Sequence, residues 1–220
     1  MSGELDVRSF TVGPVAENSY IVRRAGSDRA ILIDPGAEPE RLIRAVDELR
    51  LGVDAILITH AHFDHVGAVA ALARHTGAPV YAPALELEVL ADLDGYYAHT
   101  GFGPFESYAA EETLAGGERL ELAGLEIEVS FTPGHSPGHL SFALPAHGAL
   151  FSGDVLFAGS VGRTDLPGSD WPTLLASIAR LLEAYPAETR VHPGHMSPTT
   201  LGAERESNPF LAELRAPAAG

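Results

Sequence analysis

The sequence contains no cysteine and no lysine, and each absence removes a class of chemistry. Without a cysteine among its 220 residues, the chain forms no disulfide and offers no thiolate as a nucleophile or metal ligand. All 14 of its basic residues are arginine, so Schiff-base chemistry and a lysine general base are excluded. A reducing compartment is the natural interpretation of a chain without cysteine, and we expect a cytoplasmic protein.

Positive charge and long apolar runs are also scarce. The formal net charge of −16 repels phosphate backbones, so we expect no nucleic-acid partner. No apolar run approaches the roughly 18 residues of a candidate membrane span, so we expect no membrane association. Residues 1–10 are charged and lack an apolar stretch, which argues against a signal peptide.

The length and the apolar content set the scale of the fold. A chain of 220 residues with 45% hydrophobic residues is long enough to bury a substantial core. These values predict a single domain over residues 1–220, with a short C-terminal extension over about 199–220.

Strand-like and helix-like segments occur in two groups along the chain. The sequence predicts strands over 18–23, 30–34, 55–58, 119–122, 125–129, 140–144, 149–152 and 190–192, and a hairpin of 119–122 and 125–129 with Ala123-Gly124 as its turn. It predicts helices over 38–50, 66–75, 83–93 and 171–185, with Asp170 as the N-terminal cap of the last. Because both groups mix strands with helices, we expect two sheets packed together and covered by helices. The aromatic-rich stretch 95–112 is predicted as a long loop, either packed on its own rings or forming a substrate wall.

The densest cluster of metal-ligand residue types follows the continuous apolar run 55–58, which is typical of a strand buried on both faces. The cluster contains His60, His62, Asp64 and His65. Alternate residues of an extended segment face the same side, and a turn into the next helix brings in His65. Imidazole and carboxylate donors suit zinc, iron or manganese. Structural zinc sites are usually rich in cysteine, so the pattern favours a catalytic metal site.

Three other segments place a ligand-type residue in a glycine-containing turn where a predicted strand ends. These residues are His135, Asp154 and His195. Loops on a rigid scaffold commonly carry function, so each is a candidate ligand, although each signal is weak alone. Combined with the first cluster, they complete the donors for two metals. We interpret His139 and His192, which lie close to them in sequence, as structural histidines.

With these motifs, the sequence resembles the metallo-β-lactamase superfamily, and specifically its glyoxalase II-like branch, over nearly the whole chain. The resemblance implies an α/β fold, a four-layer αββα sandwich with the metal site at one edge between the two sheets. It implies one metal on His60, His62 and His135, another on Asp64, His65 and His195, and Asp154 bridging both. The implied cofactors are two divalent metal ions, with zinc as the first choice and iron or manganese as alternatives.

The resemblance also narrows the expected substrate to a small thioester or thiol conjugate. The aspartate at the bridging position and the segment 159–168 are similar to those of glyoxalase II-like hydrolases. β-Lactamases differ at the bridging position, and nucleic-acid-processing relatives have an additional domain, so neither activity is expected. By resemblance, Arg163 contacts a substrate carboxylate such as that of glutathione. An Arg163 that only pairs with Asp165 is an equal alternative.

The implied function is a binuclear metallohydrolase that cleaves S-lactoylglutathione or a related acyl thioester. In this mechanism a hydroxide that bridges the metals attacks the carbonyl, and Asp64 and Asp154 are the candidate catalytic residues. The thiolate leaves without prior protonation because a thiol has a pKa of about 8.5. The basic C-terminal region that grips glutathione in full-length glyoxalase II is not matched, so the thiol of the natural substrate is left open.

Two other interpretations stay open at this point. The chain also resembles iron persulfide dioxygenases, in which only His60, His135 and Asp154 bind a single iron. A non-catalytic metal-binding scaffold is the third interpretation. It predicts a degenerate set of ligands, whereas all the implied positions here hold ligand-type residues.

Overall fold

Two six-stranded sheets form the centre of the structure, a computed structural model that describes residues 4–215. Residues 1–3 and 216–220, which complete the predicted domain and its predicted C-terminal extension, lie outside the described residues. The first sheet has the sequential order β1 (Leu5–Val12), β2 (Glu17–Arg24), β3 (Arg29–Ile33), β4 (Gly52–Leu57), β5 (Val80–Pro83) and β6 (Glu112–Leu114). Its strands β3 to β6 run parallel.

The second sheet uses the later part of the chain. Its strands are β7 (Arg119–Leu122), β8 (Leu125–Phe131), β9 (Leu140–Leu144), β10 (Ala149–Gly153), β13 (Arg190–Pro193) and β14 (Thr199–Thr200), in the order β14-β13-β10-β9-β8-β7. Strands β11 (Leu156–Phe157) and β12 (Ser160–Val161) pair as a small separate hairpin. Between β7 and β8, Ala123 and Gly124 both adopt positive φ, as the predicted tight hairpin requires.

Helices cover the outer faces of both sheets. They are α1 (Pro39–Glu48), α2 (Phe63–Val66), α3 (Val69–Thr76), α4 (Leu87–Ala91), α5 (Leu93–Tyr97), α6 (Trp171–Ala184), α7 (Leu201–Ser207) and α8 (Ala212–Arg215). Helix α6 begins at the predicted cap, where the Asp170 side chain accepts a hydrogen bond from Thr173 N at 2.9 Å. Among residues 4–215, no helix is both long and apolar enough to cross a membrane.

The apolar residues form three layers, one between the sheets and one under the helices on each side. Strand β4 illustrates the arrangement, because Ala55 and Leu57 pack between the sheets while Ile56 packs toward α1 and α3. Leu150 of β10 faces α6 in the same way, in a layer with Leu174 and other α6 residues. A strand covered on both faces needs apolar side chains throughout, which explains the unbroken run 55–58. The predicted αββα sandwich is confirmed.

The strands that precede the predicted ligands all end at one edge of the sandwich. Strand β4 runs parallel to β3, and β8, β10 and β13 share one direction in the second sheet. Backbone hydrogen bonds join the sheets at this edge, from Leu140 N to Thr59 O at 2.8 Å and from Asn18 N to Gly194 O at 2.7 Å. The loops that carry the predicted ligands therefore meet there.

Several local predictions need correction. The predicted helix 83–93 is wrong at its start, because Val80–Pro83 is strand β5 and helix α4 begins only at Leu87. The predicted helix 66–75 is two helices, α2 and α3, and the predicted loop 95–112 includes the end of α5. Strand β1 was not predicted. Its apolar residues Leu5, Val7, Phe10 and Val12 alternate with polar ones except at Arg8-Ser9, but no side chain before Val12 is fully buried.

Packing between the sheets should dominate stability at positions remote from the ligand edge. Leu144, at the far end of β9, is fully buried between the sheets, and we expect Leu144→Ala to lower the free energy of unfolding by about 2–5 kcal/mol. The control is Leu85→Ala, because Leu85 is 66% exposed and should change it by less than about 0.5 kcal/mol. Urea unfolding measures both. Equal effects of the two substitutions would contradict the layer assignment.

Candidate metal centre

Three histidines from two sheets form the first group of donors. His60 and His62 follow β4, and His135 follows β8. Nδ1 of His62 lies 3.0 Å from Nε2 of His60 and 3.0 Å from Nε2 of His135. Nitrogens bound to one tetrahedral zinc at about 2.0–2.1 Å lie roughly 3.3 Å apart, so this spacing suits a shared metal.

The hydrogen bonds behind these rings fix which nitrogen faces the group. Nδ1 of His135 lies 2.9 Å from the Arg163 carbonyl oxygen, which can only accept, so its proton is on Nδ1. Thr59 Oγ1 donates to Asp34 Oδ2 at 2.6 Å and therefore accepts from Nδ1 of His60 at 3.0 Å. Both Nε2 atoms consequently present lone pairs to His62, and a single proton on His62 cannot satisfy both. A cation would satisfy all three nitrogens.

The ionisation of this group also favours a metal. Burial, together with neighbouring imidazoles, lowers the pKa of His60 well below its ordinary value. Burial and the neighbouring His135 lower the pKa of His62 to about 3. Both rings are therefore neutral at physiological pH, which is the protonation state that binds metals.

A second group of donors combines Asp64, His65 and His195. Nε2 of His195 lies 3.2 Å from Asp64 Oδ2, and Nε2 of His65 lies 3.8 Å from the same oxygen. On the other side of its ring, His65 Nδ1 lies 3.0 Å from Asp34 Oδ2. A carboxylate behind a histidine fixes the ring and increases its basicity, an arrangement common among metal-binding histidines.

Asp154, in the turn after β10, lies between the two groups. Its Oδ2 is 3.4 Å from His135 Nε2 and 3.5 Å from His195 Nε2, and its Oδ1 is 3.4 Å from His65 Nε2. Burial alone would raise the pKa of the Asp154 carboxyl, but His65 and the other imidazoles hold it well below its ordinary value. An ionised carboxylate whose Oδ2 lies close to a histidine of each group has the placement of a bridging ligand.

Two buried side-chain atoms beside the second donor group lack a hydrogen-bond partner in the described part of the chain. His65 Nε2 and Asp154 Oδ1 find no hydrogen-bond partner among the residues that the structure describes. Burial alone would lower the pKa of His65, but Asp154 and Asp64 raise it well above its ordinary value. The carboxylates therefore require a positive charge at this position, which a divalent cation supplies together with the missing bonds. The residues present fit metal ions.

Neighbouring side chains hold the donors in place. Asp34 accepts from Thr59 N at 2.7 Å as well as from Thr59 Oγ1 and His65, so it joins the turn after β3 to both donor groups. His139 Nε2 accepts a hydrogen bond from Asp154 N at 3.0 Å, and its Nδ1 lies 3.0 Å from Thr132 Oγ1. His139 thus supports the Asp154 backbone, which agrees with its interpretation as structural.

Glu86 connects the two loops that supply the first donor group. Its buried carboxylate accepts from Ala61 N at 2.5 Å, between His60 and His62 in sequence. It also accepts from Gly138 N at 2.9 Å and from the hydroxyl of Ser136, which is adjacent to His135. One side chain therefore fixes the distance between the loop after β4 and the loop after β8.

Sequence reasoning placed the seven donors in one set, and the structure brings all of them together at the edge where the sheets join. The residues are His60, His62, Asp64, His65, His135, Asp154 and His195. Their roles as ligands stay predictions. Arg163 does not face this group with its side chain, because it forms two hydrogen bonds of 2.7 Å to Asp165, the alternative left open by the sequence. His192 stacks on Phe151, with ring centroids 4.9 Å apart.

Sequence reasoning missed four residues at this edge: Glu17, Asp34, Thr59 and Glu86. Glu17 and Thr59 lie next to predicted strands, and Asp34 is the last residue of one, with only a turn signal in Asp34-Pro35-Gly36. Glu17 is buried, its Oε2 accepts from Ser19 Oγ at 3.0 Å, and burial raises its pKa well above the ordinary value. A carboxylate beside an apolar strand was the available signal, and it does not distinguish a buried carboxylate from an exposed one.

A buried set of imidazole and carboxylate donors at the joined edge of an α/β sandwich defines a protein that binds divalent metals. The chain belongs to the metallo-β-lactamase superfamily, whose family model matches residues 12–195. It is 39% identical to the hydroxyacylglutathione hydrolase GloC of Haemophilus influenzae over 184 residues, which cover 83% of this chain and 87% of that protein. The family and this relative indicate a hydrolase-type enzyme.

Solved structures agree with the fold and with metal binding. TTHA1623, solved in a di-iron-bound form, is 47% identical with a TM-score of 0.85, over 93% of this chain and 100% of that one. The BLEG-1 B3 metallo-β-lactamase is 39% identical with a TM-score of 0.88, over 94% of this chain and 100% of that one. The first relative supports divalent metals without fixing the element. Because BLEG-1 is described as a β-lactamase, its similarity to this chain gives no support to the expectation that β-lactamase activity is excluded.

Glu86 offers a selective test of the first donor group. In Glu86→Gln an amide N–H replaces one acceptor and faces a backbone N–H, so we expect metal affinity at His60, His62 and His135 to fall about 10–100-fold. Calorimetric titration of the metal-free protein with zinc measures this change.

The matched control is Glu88→Gln, because Glu88 is exposed two residues further along the chain and should leave both affinities unchanged. Unaltered zinc affinity in Glu86→Gln would show that the loops keep their spacing without this carboxylate.

Proposed function

We propose that the protein is a binuclear metallohydrolase that cleaves a small acyl thioester, with S-lactoylglutathione as the first substrate to examine. The observation that carries the proposal is the position of Asp154 between two complete groups of donors rather than beside one. The similarity to a hydroxyacylglutathione hydrolase supports the thioester as the substrate class. The products are a carboxylate and a thiol.

The protein contributes to the reaction by holding charged and hydrogen-bonding side chains in fixed positions before the substrate binds. When bound, two divalent cations supply Lewis acidity, which polarises a carbonyl and lowers the pKa of a water toward neutrality. Burial alone would raise the pKa of the Asp64 carboxyl, but His65 and His195 bring it below its ordinary value. An ionised Asp64 accepts a hydrogen bond from the attacking water and directs the water's lone pair toward the carbonyl.

The nature of the leaving group supports a thioester over an amide. Each histidine at the site belongs to a donor group or makes a structural hydrogen bond, so the described residues leave no free histidine to act as a general acid there. A thiolate leaves without protonation because a thiol has a pKa of about 8.5, whereas an amine requires a proton donor. The arrangement therefore favours a sulfur leaving group.

Arg163 is our proposed contact for a carboxylate on the thiol part of the substrate. Its backbone oxygen holds His135, so the side chain starts beside the first donor group. Its present partner is Asp165, and the two side chains are 61% and 68% exposed. Exposed ion pairs contribute only about 0–1 kcal/mol, so a substrate carboxylate can replace Asp165 at little cost.

Metal analysis combined with thioester hydrolysis tests the proposal. We expect two equivalents of metal per chain, hydrolysis of S-lactoylglutathione, loss of activity with a chelator and recovery with zinc, iron or manganese. One iron per chain, with oxygen consumption on glutathione persulfide and no thioester hydrolysis, would instead establish the persulfide dioxygenase alternative. Faster hydrolysis of a β-lactam than of any thioester would also contradict the proposal.

Asp64 provides a second test. We expect Asp64→Ala to remove one metal equivalent and most of the activity, because Asp64 contributes to the second donor group and orients water. Elemental analysis and steady-state kinetics measure the two effects. Asp28→Ala is the control at an exposed aspartate and should change neither. Two retained metal equivalents in Asp64→Ala would refute the assignment of this ligand.

A further inference from the structure

An apolar cavity of about 160 Å³ opens beside Asp64. Its walls include Pro14 from the turn between β1 and β2, Ala37 from the turn after β3, and Phe63, Phe102 and Phe105. Asp64 is the single charged residue among those that line it. The cavity therefore joins the second donor group to a surface made of hydrocarbon.

The aromatic wall is ordered by its own contacts. Phe63 stacks on Phe102 with ring centroids 4.9 Å apart, and its ring lies 5.4 Å from that of Phe105. Tyr97 packs edge-on against Phe63 at 5.5 Å, and its hydroxyl donates to Ala61 O at 3.0 Å. This bond connects the wall to the loop that carries His60 and His62, so the wall keeps a fixed position relative to the donors.

The turn after β3 packs directly against the Asp64 backbone. A Cβ on Gly36 would lie 1.6 Å from Asp64 O, so only glycine allows this approach. The opposite turn, between β1 and β2, is held by a hydrogen bond from Gly13 N to Glu38 Oε1 at 3.0 Å. The cavity is thus enclosed by a fixed backbone on one side and by the aromatic wall on the other.

The residues that line the cavity determine which chemical groups can bind in it. No basic residue lines the cavity, and Asp64 repels an anion, so a carboxylate of the thiol part of a substrate does not fit there. Arg163, the proposed carboxylate contact, adjoins His135 in the first donor group instead. A hydrocarbon group attached to a carbonyl fits the cavity, because the hydrocarbon packs on the apolar walls and the carbonyl lies at the end beside Asp64.

We propose that this cavity binds the hydrocarbon part of the acyl group, so that the enzyme prefers short apolar acyl thioesters to S-lactoylglutathione. This inference rests on the proposed function. Apolar cavities of roughly 150 Å³ bind benzene, so the size corresponds to a phenyl group or a chain of about four to six carbons. The lactoyl group is shorter and carries a hydroxyl, and it leaves most of the cavity unfilled. The acyl part lies on the Asp64 side and the thiol part on the Arg163 side.

A series of acyl thioesters of N-acetylcysteamine tests the proposal on the metal-loaded enzyme. We expect kcat/KM to rise about threefold to fourfold per methylene from acetyl to hexanoyl, because a fully buried methylene contributes a factor of that size. Decanoyl exceeds the cavity and should gain nothing further. A phenylacetyl thioester should match hexanoyl.

A variant that shortens one residue of the aromatic wall tests the same proposal. Phe102 is 41% exposed, so Phe102→Ala should fold, and we expect it to lower kcat/KM about tenfold for hexanoyl and less than twofold for acetyl. Phe210→Ala is the matched control, because Phe210 is 48% exposed and does not line the cavity. Calorimetric titration with hexanoate and acetate gives a readout without turnover. Hexanoate should bind at least tenfold more tightly, and Phe102→Ala should reduce the difference about tenfold.

The outcomes separate this inference from the proposed function. Hydrolysis of all thioesters at similar rates, with equal affinity for acetate and hexanoate, would overturn the cavity assignment and leave the hydrolase intact. No hydrolysis of any thioester would overturn the proposed function. In that case the hexanoate titration decides the cavity, because Phe102-dependent binding supports it and equal binding of the two carboxylates refutes it.

Discussion

The carboxylate of Asp154 is buried and needs positive charge close to it, and the arrangement of this edge of the molecule follows from that constraint. A carboxylate out of water needs positive charge and hydrogen bonds, and the chain supplies imidazoles on two sides and a backbone held by His139. The same carboxylate raises the pKa of His65, which indicates that this position favours a positive charge. A divalent metal completes the balance, which explains why such a group is tolerated in the interior.

The two sheets must meet closely for that balance to exist. His60 to His65 follow a strand of the first sheet, whereas His135, Asp154 and His195 follow strands of the second. The bond from Leu140 to Thr59 and the carboxylate of Glu86 hold the loops of one sheet against those of the other. The interior layer between the sheets supplies the apolar burial that brings these loops together, and the polar contacts set their spacing.

Much of the fold was predictable because its signals are local. An unbroken apolar run identified β4, a cap and helical spacing identified α6, and an Ala-Gly turn identified the hairpin of β7 and β8. The seven candidate donors could be found because each is a histidine or an aspartate in a loop that follows a predicted strand. The supporting residues could not. Glu86 meets Ala61, 25 positions away, and Gly138, 52 positions away, and no periodicity records such contacts. The aromatic stretch was predicted as a loop, but its contacts outside the loop were not, since Phe102 and Phe105 pack on Phe63 and the Tyr97 hydroxyl donates to Ala61 O.

The position of His195 has a consequence for how the protein is made. It follows the last long strand of the second sheet, so the donor set is incomplete until most of the 220 residues have been synthesised. Partial chains therefore present the histidines of the first loop without the residues that should share their metal. We therefore expect metal loading to be a late event that accompanies the closing of the two sheets, and we expect free metal to favour the finished fold by mass action over any unfinished one.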